Sequence, residues 1–285
     1  MRVYVLGSGT PTPTAERFGT AYVVEVDGVY LQIDCGPAAT WKLAKVGLFP
    51  TQIHTLFFTH HHFDHNVDYP CFLLTRWDQS VGTEPELQVF GPPPTVELTE
   101  RLIGKDGVFS LDYLARMQWP TSQQVFVNRG GTLPRPAPRV HTQDISAGFR
   151  LDGDGWTMRC ATAHHAEPYL TSLAYRLETP KGSLVFTGDT EPCDSVQQLA
   201  QGADGMLCMA WGTDEDVQRS GEAAGTCSVG DAARMAAKAG VKKLVLVHVG
   251  PSVGRPPKRE EALRNAASFY DGDVVLASDL MTIDF

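Results

Sequence analysis

Apolar positions along the chain gather into short runs that stop abruptly at small, polar or histidine-rich segments, a pattern of buried strands more than of long amphipathic helices. Residues 2 to 34, rich in valine, leucine and tyrosine, read as strands. So do Ile53 to Thr59 (IHTLFFT), the stretch near Leu87 to Phe90, Thr157 to Ala163 (TMRCATA), Ser183 to Thr187 (SLVFT) and Leu244 to Val247 (LVLV). Helices are expected at Ala38 to Val46, from Asn66 to Trp77, at Leu111 to Trp119, at Val229 to Ala239 and at Arg259 to Tyr270. From about 91 to 150 the pattern weakens, and the span reads as an irregular insertion, long enough to serve as a lid over a pocket, a dimer contact, or both. Arg129 to Pro138 (RGGTLPRPAP) inside it has linker composition but reads as an ordered excursion, so residues 1–285 are taken as one domain.

The chemistry sits at the ends of these strands. Ile53 to Thr59 ends in His60-His61-His62-Phe63-Asp64-His65. Side chains two apart on extended backbone point the same way, so His60 and His62 can close on one ion while Asp64 and His65 turn toward a second. Imidazole and carboxylate donors suit Zn²⁺, one or two per chain, with Mn²⁺, Fe²⁺ or Co²⁺ as alternatives. A solvated histidine cluster would have polar, unstructured flanks, whereas these flanks are an apolar strand and an apolar helix. Later strands deliver His164 and His165, then Gly188-Asp189-Thr190, then His248. One histidine after a strand is weak evidence; several ligand-type residues at successive strand ends are not coincidence. Gly7-Ser8-Gly9-Thr10 lacks the fuller context of a phosphate-cradling loop and reads as a tight turn.

These segments, together with Val3 to Thr12 (VYVLGSGTPT) and Ile33-Asp34-Cys35-Gly36-Pro37, make the chain resemble the metallo-β-lactamase-fold hydrolases, on the side of ribonuclease Z and the arylsulfatase-like enzymes. The resemblance spans nearly the whole length. It implies an α/β fold in the form of an αββα four-layer sandwich with metals at one edge between the sheets. It further implies that His60, His62 and one of His164 or His165 hold a first ion, that Asp64, His65 and His248 hold a second, and that Asp189 bridges. His165 is preferred because Pro168 lies three residues after it, as the family spacing has it. Asp34 is then expected to brace a ligand imidazole, and His164 to line the substrate pocket. Asp64 and Asp189 are the catalytic carboxylates of this reading, with a metal-bound hydroxide as nucleophile.

Composition adjusts the picture of the substrate. The chain has 24 basic and 33 acidic residues, a formal net charge of −9, and no concentrated basic footprint beyond Arg129, Arg135 and Arg139, themselves read as a solvated loop. The Glu-Ala-Thr and His-Ser-Thr segments through which ribonuclease Z relatives move protons are replaced by Met209-Ala210-Trp211 and Thr226-Cys227-Ser228. Both observations favour a small, aromatic or apolar substrate, an aryl ester, sulfate or aryl halide including hydrolytic dehalogenation, over nucleic acid. Trp211, with Phe63 and help from Trp77 and Trp119, would form an aromatic wall for it. A phosphodiesterase or ribonuclease Z-like nuclease is the alternative, and a non-catalytic metal-binding protein the alternative of another class.

The six cysteines have no paired spacing and read as reduced and mostly buried, with no nucleophilic role. His141 reads as a surface residue. No apolar run approaches a membrane span, so the expected setting is cytoplasmic, with a homodimer as the expected assembly.

Overall fold

Two seven-stranded mixed sheets face each other in the computed structural model, which describes residues 1–285. The first half of the chain supplies β1 (Arg2–Ser8), β2 (Thr20–Val26), β3 (Val29–Ile33), β4 (Ile53–Phe57), β5 (Leu87–Gly91) and β6 (Val140–Asp144). The second supplies β7 (Arg150–Gly153), β8 (Trp156–Ala163), β9 (Ser172–Thr179), β10 (Gly182–Phe186), β11 (Gly205–Ala210), β12 (Lys243–Val249) and β13 (Asp273–Leu276), and the last strand, β14 (Met281–Asp284), returns to pair with β1. Strand order is β14-β1-β2-β3-β4-β5-β6 in one sheet and β13-β12-β11-β10-β9-β8-β7 in the other. Each sheet is antiparallel through its hairpins and parallel across the last four strands of one side, β3 to β6 and β10 to β13.

Helices cover both outer faces. The first half supplies α1 (Ala39–Lys45), α2 (Phe63–Asn66), α3 (Tyr69–Gln79), α4 (Thr95–Ile103), α5 (Ser110–Gln118) and α6 (Pro120–Asn128), of which α1, α3 and α4 pack on the first sheet and α5 meets the end of α3 through Tyr113 and Arg116. The second half adds α7 (Asp194–Leu199), α8 (Asp214–Ser220), α9 (Val229–Ala239) and α10 (Lys258–Ala267). This is the αββα arrangement the sequence implied, and it explains why the strands read as near-continuous apolar runs: both of their faces are covered. Along β2, Tyr22 and Val24 join the core between the sheets, while Ala21 and Val23 join the core under α1 and α3. The inner layer mixes residues of both sheets, Val3 and Ile33 with Met158, Leu177 and Val245. On the other side, alanines of α9 and α10 sit against Met206, Cys208, Leu244 and Leu246. Ser228 starts α9 with a reciprocal capping box to Asp231, and Gly240 ends it at φ 65.

Several boundaries differ from expectation. The helix read from Asn66 begins at Tyr69, because Pro70 suits the first turn and residues 63–66 form a separate turn of helix. The span from 91 to 150 is helical over much of its length, in α4, α5 and α6, and closes the sheet edge with β6. The period was obscured because α5 and α6 bury little: Tyr113 and Phe126 are inside, but Leu111 is 81% and Trp119 64% exposed.

This layer also takes Trp77 out of the aromatic wall expected of it. Trp77 donates its indole N–H to the Pro136 carbonyl at 2.9 Å and carries the Arg135 guanidinium 3.9 Å from its ring centroid. It therefore packs the far end of α3, while Trp119, between α5 and α6, is 64% exposed. The arginines are not a free patch: Arg129 and Arg135 both turn onto Asp78, joined there by Arg116, and Arg135 is buried. His141 is a surface residue on β6. Cysteines 35, 160, 208 and 227 are buried, Cys193 is partly buried, Cys71 is exposed, and none is paired in a disulfide.

Candidate metal centre

Carboxyl ends of strands from both sheets meet at one edge of the sandwich. Beyond β4 the chain bends at Thr59 and is extended at His62, and the rings of His60 and His62 meet on one side. α2 then turns Asp64 and His65 back beneath them, both fully buried. His165 follows β8, and Asp189 follows β10. His248 arrives by a different device. Opposite Met209 and Ala210 the register of β12 jumps from Val247 to Val249, leaving His248 as the extra residue of a bulge with φ 46. A bulge re-aims a side chain that regular pleating would send elsewhere.

The result is two clusters of donor atoms. His60, His62, His165 and Asp189 form one, and Asp64, His65 and His248 the other, with the donor atoms of each within 4.8 Å of one another. In the first, Nδ1 of His62 stands 3.1 Å from Nε2 of both His60 and His165. In the second, Oδ2 of Asp64 stands 3.3 Å from His248 Nε2 and 3.6 Å from His65 Nε2. Asp189 lies between them: its Oδ2 is 4.0 Å from His60, 3.8 Å from His165 and 3.1 Å from His248, and its Oδ1 is 3.5 Å from His65. All seven residues singled out in the sequence thus converge. His165, not His164, joins the cluster.

Hydrogen bonds behind the donors orient them. His65 Nδ1 donates to Asp34 Oδ2 at 2.8 Å, leaving Nε2 facing the centre. Thr59 donates its hydroxyl to the same carboxylate at 2.8 Å and its backbone N–H to the other oxygen at 2.7 Å. That hydroxyl is left to accept from His60 Nδ1, 3.1 Å away, so His60 also presents a bare Nε2. His165 Nδ1 donates to the Gly225 carbonyl at 2.6 Å. Asp34, like His248, has positive φ (58), a costly conformation for a non-glycine residue and one that concentrates at functional sites.

Electrostatics separates the imidazoles. Burial, then the neighbouring His65, holds His60 well below the ordinary histidine range, and burial lowers His62 as well. Burial would lower His65 too, but the Asp189 and Asp34 charges outweigh it and raise it well above. Burial would raise Asp189, yet His248 and His65 hold its carboxyl well below the usual range; Asp64 is lowered in the same way, burial being outweighed by His248 and His65. His65 Nε2 and Asp189 Oδ1 are buried without a hydrogen-bond partner. Stranded atoms of this kind are costly unless an ion takes them. The nitrogen and oxygen donors fit a pair of divalent cations.

Other expected residues fall at the margin. His164 is half exposed, contacts Glu167 at 2.9 Å through Nδ1, and lines a cavity of about 250 Å³ with His165, Glu191 and Gly225. Phe63 begins α2 and is 54% exposed. Trp211 sits beside the second cluster, its ring centroid 6.0 Å from that of His248. His61 points away, to the Pro92 carbonyl and Thr95. Thr59 and Gly225 were missed by sequence reading. Thr59 adjoins the histidine loop and could have been suspected, whereas Gly225 acts through its backbone and has no residue signature.

A sandwich of this topology with this donor set at its edge defines a metal-dependent hydrolase. The chain belongs to the β-lactamase superfamily domain family, whose model matches residues 30–249. Ribonuclease Z of Mycobacterium bovis (strain BCG / Pasteur) is 29% identical over 293 residues, covering 100% of this chain and 98% of the relative. Among solved structures, the metallo-β-lactamase fold protein YhfI of Bacillus subtilis superposes with a TM-score of 0.74 at 19% identity, covering 99% of this chain and 98% of that one. The short form of human tRNase Z does so with a TM-score of 0.69 at 21% identity, covering 100% and 99%. No helix is long and apolar enough to cross a membrane.

These relatives overturn the expectation of a small-molecule substrate with nucleic acid set aside, because full-length homologues carry the name of a ribonuclease. Formal net charge summed over a chain says little about the field in one cleft, where local groups and bound cations dominate. The replaced proton-transfer segments were likewise overweighted: they concern one step, not the class of bond attacked.

Proposed function

We propose that this protein is a metal-dependent phosphodiester hydrolase acting on RNA, tRNA among its substrates, with zinc as the metal. The reading is carried by full-length similarity to ribonuclease Z in a chain whose seven donor residues converge in two clusters. His60, His62 and His165 would hold one ion, Asp64, His65 and His248 the other, with Asp189 shared. When bound, such a pair supplies Lewis-acid charge and water activation near neutral pH.

The chain's own residues prepare the site. Asp34 and Gly225 fix which nitrogen His65 and His165 present. Burial of His60, Asp64 and His65 keeps bulk water from competing for the donors. Asp64 and Asp189 are ionised at neutral pH and balance the cationic charge gathered there. A phosphodiester suits this environment because its oxygens are the hard anionic groups that such a site attracts.

The test is cleavage of a labelled precursor tRNA by purified protein, with and without chelator and with Asp189→Ala. Chelator-sensitive cleavage that Asp189→Ala abolishes is the expected result. Failure of the zinc-replete protein to cleave any RNA, or unimpaired cleavage by Asp189→Ala, would overturn the proposal.

A further inference from the structure

Trp211 is held at both ends by one loop, residues 221–228 between α8 and α9. Its backbone N–H donates to the Cys227 carbonyl at 3.0 Å. Its indole N–H donates to Glu222 Oε2 at 2.9 Å, the same oxygen that accepts from Ser220 Oγ at 2.9 Å. Behind it, the backbone passes so close that a Cβ at Gly250 would come within 1.8 Å of the Trp211 carbonyl. The backbone is thereby held from two sides and the ring by its bond to Glu222, inclined 31° to His248 of the second donor cluster.

A tryptophan that only filled the core would spend its N–H on a buried acceptor and keep its ring covered. This one packs partly against the core beneath α9, bonds an exposed carboxylate, and forms a wall of an open cavity of about 400 Å³ with Gly212, Val217, Ser220, Pro251 and the charged Asp216, Arg219 and Glu222. Charge narrows what that cavity can take. Glu222 lines it as a carboxylate held below its ordinary pKa by hydrogen bonds from Trp211 and Ser220. Its neighbour Asp216 already pairs with Arg219 and Lys258, so no unpaired cation there awaits a phosphate. Asp216 and Arg219 neutralise each other, which leaves the indole face as the apolar wall for a flat group.

We propose that Trp211 is the stacking platform for one nucleobase beside the scissile phosphate, and that Glu222 is a positioning residue that holds the indole in the stacking orientation. The inference rests on the RNA reading above. Aromatic stacking is tolerant of base identity, since every base offers a π-face. Once the indole N–H is engaged by Glu222, the ring offers its face and not a hydrogen bond. The subsite therefore senses the presence of a base more than its sequence.

The test measures binding of a fluorescently labelled RNA oligonucleotide with hydrolysis-resistant phosphorothioate linkages to the zinc-replete protein by anisotropy. A series of oligonucleotides moves an abasic site one nucleotide at a time across the cleavage position. Trp211→Ala is expected to weaken binding about 10- to 100-fold, while Trp211→Phe, which keeps a stacking face, stays within a few-fold. At one abasic position the wild type should lose affinity by a similar factor and Trp211→Ala should lose nothing more. Glu222→Ala should weaken binding, and Glu222→Gln, which keeps an acceptor for the indole, should restore it. Equal affinity of Trp211→Ala and wild type, or equal sensitivity of both to every abasic position, would overturn the inference while leaving the nuclease reading intact. A wild-type protein that neither binds nor cleaves RNA would overturn the nuclease reading, and the inference with it.

Discussion

Asp34 and His65 lie thirty-one residues apart and meet through a 2.8 Å hydrogen bond in which the imidazole Nδ1 is the donor. That contact links the end of β3 to α2 and determines which nitrogen of His65 faces the second cluster.

Asp34→Asn tests it with little change of shape. Asparagine tolerates the left-handed backbone that Asp34 adopts, and its carbonyl can still accept one bond from Thr59. It cannot also offer His65 the charge of a carboxylate. Metal affinity should fall about 10- to 100-fold, seen as lower metal content after dialysis against buffered zinc, and excess zinc should restore activity. Unchanged metal content would show that the contact does not tune the site.

Gly36→Ala should damage the site through the backbone. A Cβ there would stand 2.1 Å from the Asp64 carbonyl oxygen and 2.7 Å from the backbone N and O of Thr20. Backbone atoms cannot swing aside as a side-chain tip can. The expected outcome is lower thermal stability together with lost metal binding, followed by calorimetry and metal analysis. A variant of wild-type stability that binds metal normally would contradict this packing.

Asp78 should contribute stability that depends on pH. Burial would raise its carboxyl, but Arg129 and Arg135 overcome that and lower it. A folded-state pKa below the unfolded one stabilises above the unfolded value and is lost as pH falls through the folded value. Asp78→Asn should therefore cost about 1–2 kcal/mol near pH 7. The gap from wild type should close as pH drops below about 4, measured by urea denaturation across pH. A gap that is constant with pH would assign the effect to shape instead.

Tyr175→Phe removes a buried hydroxyl that donates to the Phe58 carbonyl at 2.7 Å, just ahead of the histidine loop. The carbonyl left behind is unsatisfied, so a loss of about 1–2 kcal/mol is expected. It should show as a shifted urea midpoint with an unchanged slope. No shift would mean that another donor reaches Phe58.

The sequence by itself determined the strand runs and the donors His60, His62, Asp64 and His65, and its resemblance to a known family implied the four-layer class. Those four are neighbours on one short loop, so local backbone geometry is enough to bring them together. Asp189 and His248 were legible as residues at strand ends, because ligands collect where parallel strands finish. Other choices belonged to the tertiary structure. His165 faces the centre and His164 does not, since the Gly225 carbonyl from a loop sixty residues later captures the His165 ring. His248 turns inward only because β12 bulges against β11, a pairing that no local pattern encodes. Trp77 and the arginines around Asp78 carried the composition of an aromatic wall and a basic patch, yet packing made them supports for one another. Local sequence specifies which groups a segment carries; which of them share a cavity depends on contacts between segments far apart in the chain.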